Sequence, residues 1–146
     1  MDNDGSSNAG GHAASAKVDV HLAQRDAFAR FIGLELVAVA PGSATVRMAI
    51  KPEHLNGLDI VHGGAIFSLA DYAFAAACNA HGKPTVALQV NVVFLKAAKA
   101  QGILTAEARM QAPGKVGQYE VRVTDDAGAL IALFHGLSYE KTVKPR

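Results

Sequence analysis

Asp71 is the residue whose surroundings are least ordinary. It sits in the run GGAIFSLADYAFAAACNA, where nearly every neighbour is apolar or small. If the run is a helix, a step of about 100° per residue puts Ser68, Asp71, Tyr72, Ala75 and Asn79 on one narrow stripe. A helical carboxylate ordinarily meets solvent and does nothing more. This stripe is thin for a solvent face. A carboxylate beside apolar surface is a candidate acid–base group.

His62-Gly63-Gly64 precede the helix and supply a complementary function. The first backbone N–H groups of a helix have no intrahelical acceptor, and the dipole there favours negative charge. Glycine lets a carbonyl oxygen approach such a donor closely. An N–H so placed stabilises the oxyanion formed when a thioester or ester is attacked. Paired glycines alone often mean only a turn. Together with Asp71, eight residues after Gly63, they make a candidate base and oxyanion donor. Asn56, in HLNG, has a carboxamide able to orient water or a carbonyl, or to close an Asn-Gly turn, and its local sequence favours the turn.

Other reactive residue types fit less well. His54, Asp59 and His62 lie in an irregular loop whose spacing matches no helix-borne metal motif. Cys78, the single cysteine, has no glycine elbow or local base and reads as a packing residue. Lys96, Lys99 and Lys115 lie at strand ends or in hairpins, where lysines are usually just solvated and a few meet phosphates at a pocket mouth.

These residues need a scaffold. The chain has 146 residues, half of them hydrophobic and 18% charged, which suits one folded domain. Fourteen basic residues nearly balance 13 acidic ones, so no field for nucleic acid is implied. The lone cysteine excludes an internal disulfide framework and suits a reducing, cytoplasmic setting. No signal peptide or membrane span is legible. Residues 1–18 begin MDNDGSSNAGGHAASA and read as a disordered tail. A helical face of Leu22, Phe28, Phe31 and Ile32 is expected over 21–32. Strands follow at 34–40 and 43–50, joined by Pro41-Gly42. The alanine-rich helix is expected over 64–80, buried on nearly all sides and ended by Gly82 and Pro84. Four further strands are expected at about 85–96, 102–111, 119–125 and 129–140. An antiparallel sheet wrapped around one central helix, an α+β fold, satisfies this order.

The stretch HLNGLDIVHGGAIFSLADYAFAAACNAHG resembles the hotdog-fold acyl-CoA thioesterases of the phenylacetic-acid-degradation (PaaI) type. The shared pattern is a loop Asn, here Asn56, then His62-Gly63-Gly64, then Phe67-Ser68-Leu69-Ala70-Asp71. Ala76-Ala77-Cys78-Asn79 and the final strand IALFHG resemble the phenylacetyl-CoA branch. The resemblance implies a hotdog domain over residues 19–141, with residues 142–146 frayed. It also implies a homodimer, usually paired into a homotetramer, with active sites between subunits.

By carry-over, Asp71 of one subunit is the general base or nucleophile. Gly63 of the other polarises the thioester carbonyl, Asn56 positions water or substrate, and His62 supports the loop. Some family members carry a hydroxyl where Ala87 stands here, for which Thr85, Gln89 or Asn91 are possible substitutes. Gly114, Lys115 and, more weakly, Lys96 are expected near the CoA phosphates. The implied activity is hydrolysis of a small aryl or medium-chain acyl-CoA, with no metal or redox cofactor. Small residues near Ala70, Ala73 and Ala77 could leave room for an acyl group. A non-catalytic acyl-CoA-binding protein is the alternative, and a hotdog hydratase a more distant one. A regulator would need a DNA-binding module, which the tail does not offer, and a hydratase normally uses an Asp/His pair on the helix.

Overall fold

The computed structural model describes residues 17–142. The tail expected over 1–18 and the fray expected over 142–146 fall mostly outside those residues. Two short helices, α1 (His21–Gln24) and α2 (Ala27–Phe31), lead into strands β1 (Leu34–Ala40) and β2 (Ser43–Ala49). A loop with one 3-10 turn at Pro52–His54 leads to α3 (Gly63–Asn79). Strands β3 (Thr85–Phe94), β4 (Ile103–Ala112), β5 (Val116–Thr124) and β6 (Leu130–Glu140) complete the fold.

The six strands form one sheet in the order β1-β2-β4-β5-β6-β3, with every neighbouring pair antiparallel. It wraps α3, which touches all six strands. This is the expected hotdog arrangement. Strand alternation explains it. Ala44, Val46 and Met48 of β2, Leu104, Ala106 and Ala108 of β4, and Tyr119, Val121 and Val123 of β5 are buried. Arg47, Glu107 and Arg122 face outward between them. Pro41-Gly42 makes the first hairpin, with Gly42 at φ +82° as a Pro-Gly turn requires.

The small side chains of α3 let it lie close to the sheet. Ala70, Ala73 and Ala77 are wholly buried in the core, and none of them lines the cavity that holds Asp71. Phe74 supplies the bulk, edge-on to Tyr119 at 5.3 Å and tilted against Phe134 at 5.7 Å. Gly136 of β6 makes this possible, since a Cβ there would sit 2.8 Å from the Phe74 ring.

The single helical face expected over 21–32 is corrected. The chain breaks at Arg25-Asp26, where the Asp26 carboxylate accepts a hydrogen bond from Ala29 N at 2.9 Å and caps a new helix. The face is not buried either: Phe28 is 58% and Phe31 84% exposed, and Ala29 packs inward instead. β5 starts three residues before the apolar alternation announces it, because its second residue, Gly117, has no side chain to register the pattern.

Candidate active site

α3 begins at Gly63 with an unusual cap. His62 is the N-cap residue, and its Nδ1 accepts from Gly64 N at 2.8 Å. The next two amides, Ala65 N and Ile66 N, both reach His62 O. Gly63 N–H makes no hydrogen bond among the described residues. Of the two glycine amides, one is therefore spent on the cap and the other is open at the positive end of a 17-residue helix. The Phe94 ring lies where a Gly63 side chain would project, with its nearest carbon 3.1 Å from an ideal Cβ.

Asn56 lines the same groove, a cavity of about 360 Å³ that also includes Gly63, Ile66, Phe94 and Lys96. Its Oδ1 accepts from Leu58 N at 2.8 Å and from Ile60 N at 3.4 Å. The Asx turn is thus present, and it leaves part of the carboxamide free. The turn holds the oxygen, and Nδ2 donates to nothing among the described residues. Beneath the loop, buried His54 accepts from Lys51 N at 3.1 Å and meets Ile32 O at 2.8 Å. Both its ring nitrogens are committed to backbone, which makes it a brace for the loop.

Asp71 lies elsewhere in the chain. Eight residues along α3 is about 12 Å of axis. It lines a separate cavity of about 190 Å³ with Asp26, Phe28, Leu34, Phe67 and Ala75. Ser68, Asp71, Tyr72 and Ala75 of the expected stripe all reach this cavity. Asn79 does not: it exchanges hydrogen bonds with the Thr85 backbone, tying the helix end to β3. Burial pushes the Asp71 carboxyl above the ordinary carboxylate range, and the nearby Asp26 charge pushes it further. Tyr72 O–H donates to Ala23 O at 3.0 Å and pins α1 beside this cavity.

Lys115 and Gly114 occupy a third place. They line a cavity of about 520 Å³ with His81, Lys83, Thr85 and Ser138. The Lys115 ammonium stands 5.3 Å from the Tyr139 ring centroid. Within the chain Lys96 is with Asn56 and Gly63, away from Lys115.

None of the proposed hydroxyl substitutes is brought to the Asp71 cavity. Thr85 Oγ1 donates to Lys83 O, and Gln89 and Asn91 line a groove with Gln118 and His135. Cys78 is buried and its thiol is pushed up to about 12 by desolvation, so it stays protonated. Phe94 over Gly63 and Asp26 beside Asp71 carry no sequence expectation. The pattern Asp26-Ala-Phe-Ala29, an N-cap signature, was the available signal for the second.

Comparison with known proteins adds what geometry alone cannot. Residues 58–132 match the family described as Thioesterase superfamily. The chain belongs to that family. It is 38% identical over 117 residues to acyl-coenzyme A thioesterase PaaI of Escherichia coli, covering 80% of this chain and 84% of that protein. It is 32% identical over 110 residues to human acyl-coenzyme A thioesterase 13, covering 72% and 79%. The solved structure of E. coli PaaI, from the phenylacetic acid degradation operon, superposes with a TM-score of 0.80 at 35% identity, covering 83% of this chain and 88% of that one. The protein is thus a hotdog-fold thioesterase of the PaaI type. No helix among its described residues is long and apolar enough to cross a membrane.

Proposed function

We propose that the protein hydrolyses a small aryl or medium-chain acyl-CoA to the free acid and CoA, at a site built from two subunits. The observation that carries the chemistry is the unspent Gly63 amide, which shares a groove with the unspent Asn56 Nδ2. Both donors can meet the thioester oxygen as it gains charge. Asp71 of the other subunit takes a proton from water, whose oxygen bonds to the carbonyl carbon. The carbon–sulfur bond then breaks, and the proton held by Asp71 passes to the departing thiolate. Direct attack by Asp71 on the carbonyl is the variant of this scheme. His62 keeps the glycine loop in place by capping Gly64. No metal or redox cofactor takes part.

Support for two subunits comes from the sheet edge. β3 is an edge strand of ten residues with Val86, Leu88, Val93 and Phe94 exposed. A long apolar edge is a template for pairing. If two copies pair β3 about a two-fold axis, the strands run antiparallel. The Phe94 end, beside Asn56, Gly63 and Lys96, then meets the partner's Thr85 end, beside Gly114 and Lys115. Such pairing brings the groove of Asn56 and Gly63 to the partner's Gly114 and Lys115, with lysines placed for the CoA phosphates. That Asp71 of the partner also reaches this groove is part of the proposal. A homotetramer of two such dimers and a cytoplasmic location, which the single buried thiol suits, complete the proposal.

A cavity of about 190 Å³ at Asp71, walled by Phe28, Leu34, Phe67 and Ala75, favours a compact aryl group over a long chain. Thiol release from phenylacetyl-CoA, hexanoyl-CoA and palmitoyl-CoA tests this. Higher kcat/KM for phenylacetyl- or hexanoyl-CoA is expected, and a preference for palmitoyl-CoA rejects the acyl assignment. Tight binding of all three without thiol release would instead favour a non-catalytic acyl-CoA-binding protein.

A further inference from the structure

Asp26 faces the Asp71 cavity without a part in the scheme above. It is held there. Its Oδ1 caps α2 by accepting from Ala29 N at 2.9 Å, and Ala29 is buried against the core. The pinning of α1 by Tyr72 fixes the preceding turn from the other side. A loop carboxylate normally avoids another carboxylate, and a neutral serine or asparagine would cap α2 as well.

Resting on the assignment of Asp71 as the base, we propose that Asp26 is a positioning residue. Its fixed carboxylate across the cavity makes Asp71 the stronger proton acceptor. The physical reason lies in the charge change during the reaction. Before it, two anions face one cavity. As Asp71 takes the proton from water, that repulsion disappears, while the new negative charge develops on the thioester oxygen at the partner's Gly63. An interaction unfavourable only in the ground state is relieved in the transition state, which lowers the barrier.

The other groups around Asp71 do not supply this. On α3, Tyr72 and Cys78 are its titratable neighbours, and burial raises both, so neither is charged at working pH. From α2, Arg30 donates to Gln24 O at 2.8 Å, and its charge acts on Tyr72. From β1 the cavity receives Leu34. Asp26 is also the charged group that, with burial, raises Asp71.

The test uses the full-length enzyme and two variants that keep an N-cap acceptor, Asp26→Asn and Asp26→Ser. Aspartate carboxyl carbons are labelled with carbon-13, and the Asp71 signal is identified by its loss in Asp71→Asn. Its titration is followed by NMR alongside the pH profile of kcat/KM. In both variants the Asp71 titration and the acid limb of the profile should move together to lower pH. The plateau rate should fall by less than the roughly 10²–10⁴-fold expected from losing the base itself. If the Asp71 titration does not move, Asp26 has no such role, and the Asp71 scheme stands. If the titration moves while the acid limb stays, the titrating carboxylate is not the base. That result overturns the scheme, and with it the role of Asp26.

Discussion

At the residue scale the proposed hydrolysis depends on Asp71, Gly63 and Lys115. Asp71→Asn keeps shape and removes the proton acceptor, so kcat should fall about 10²–10⁴-fold in a protein with unchanged thermal stability. Unchanged kcat in the folded variant removes Asp71 from the chemistry. Because burial and Asp26 raise its carboxyl, the wild-type acid limb should lie above the ordinary carboxylate range. The sign follows from the role. The base works ionised, so activity is lost as pH falls through the raised value. In the proposed complex Lys115 meets the CoA phosphates at the far end of the substrate, where it would bind ground and transition states alike. Lys115→Ala should therefore raise KM, leave kcat nearly unchanged and weaken the salt dependence of KM. With an acyl-pantetheine thioester, which lacks the nucleotide, the variant should match wild type. An equal rise in KM for both substrates contradicts a phosphate contact.

At the scale of elements, α3 and the sheet depend on a few close approaches. Gly136→Ala would place a methyl against the Phe74 ring at a distance real side chains do not tolerate. Overpacking of this kind costs about 1–3 kcal/mol, and a lower melting temperature by calorimetry is expected. An unchanged melting temperature would mean that β6 yields easily. Much of this architecture was legible in the sequence because period carries it. Alternation in ATVRM and YEVRV marked β2 and β5, and the alanine-rich run marked α3. Short elements were not legible in this way. Over 21–32 an apolar spacing suited one helix, but the hydrogen bond that Ala29 N donates to the Asp26 carboxylate starts a second one. The burial of Ala70, Ala73 and Ala77 shows a related limit. A helix covered on nearly all sides has no sequence signal saying which alanine borders the Asp71 cavity, and in α3 it is Ala75 that lines it.

At the scale of the whole molecule, the candidate site residues are divided among separate cavities of the chain. Asn56, Gly63 and Lys96 line one groove, Asp71 a second cavity, and Gly114 and Lys115 a third. The motif spacing named the chemical groups but not this division, since adjacency across a strand edge is a property of assembly. The apolar edge of β3 is its structural counterpart, and a charge placed there tests it. Leu88→Lys, on a residue 59% exposed, should shift the protein toward monomer by sedimentation and lower activity in proportion. A fully active monomer would show that one chain suffices.

The shared site itself is tested most directly by mixing two inactive proteins. Asp71→Ala removes the base and Asn56→Ala removes the carboxamide donor. A dimer containing one chain of each has one site with both defects and one site with neither. After subunit exchange, confirmed by mass spectrometry of the mixed dimer, thioesterase activity should return to about one quarter of wild type, because about half the dimers are mixed and each carries one intact site of two. Demonstrated exchange with no return of activity would contradict a site built from Asp71 of one chain and Asn56 of the other.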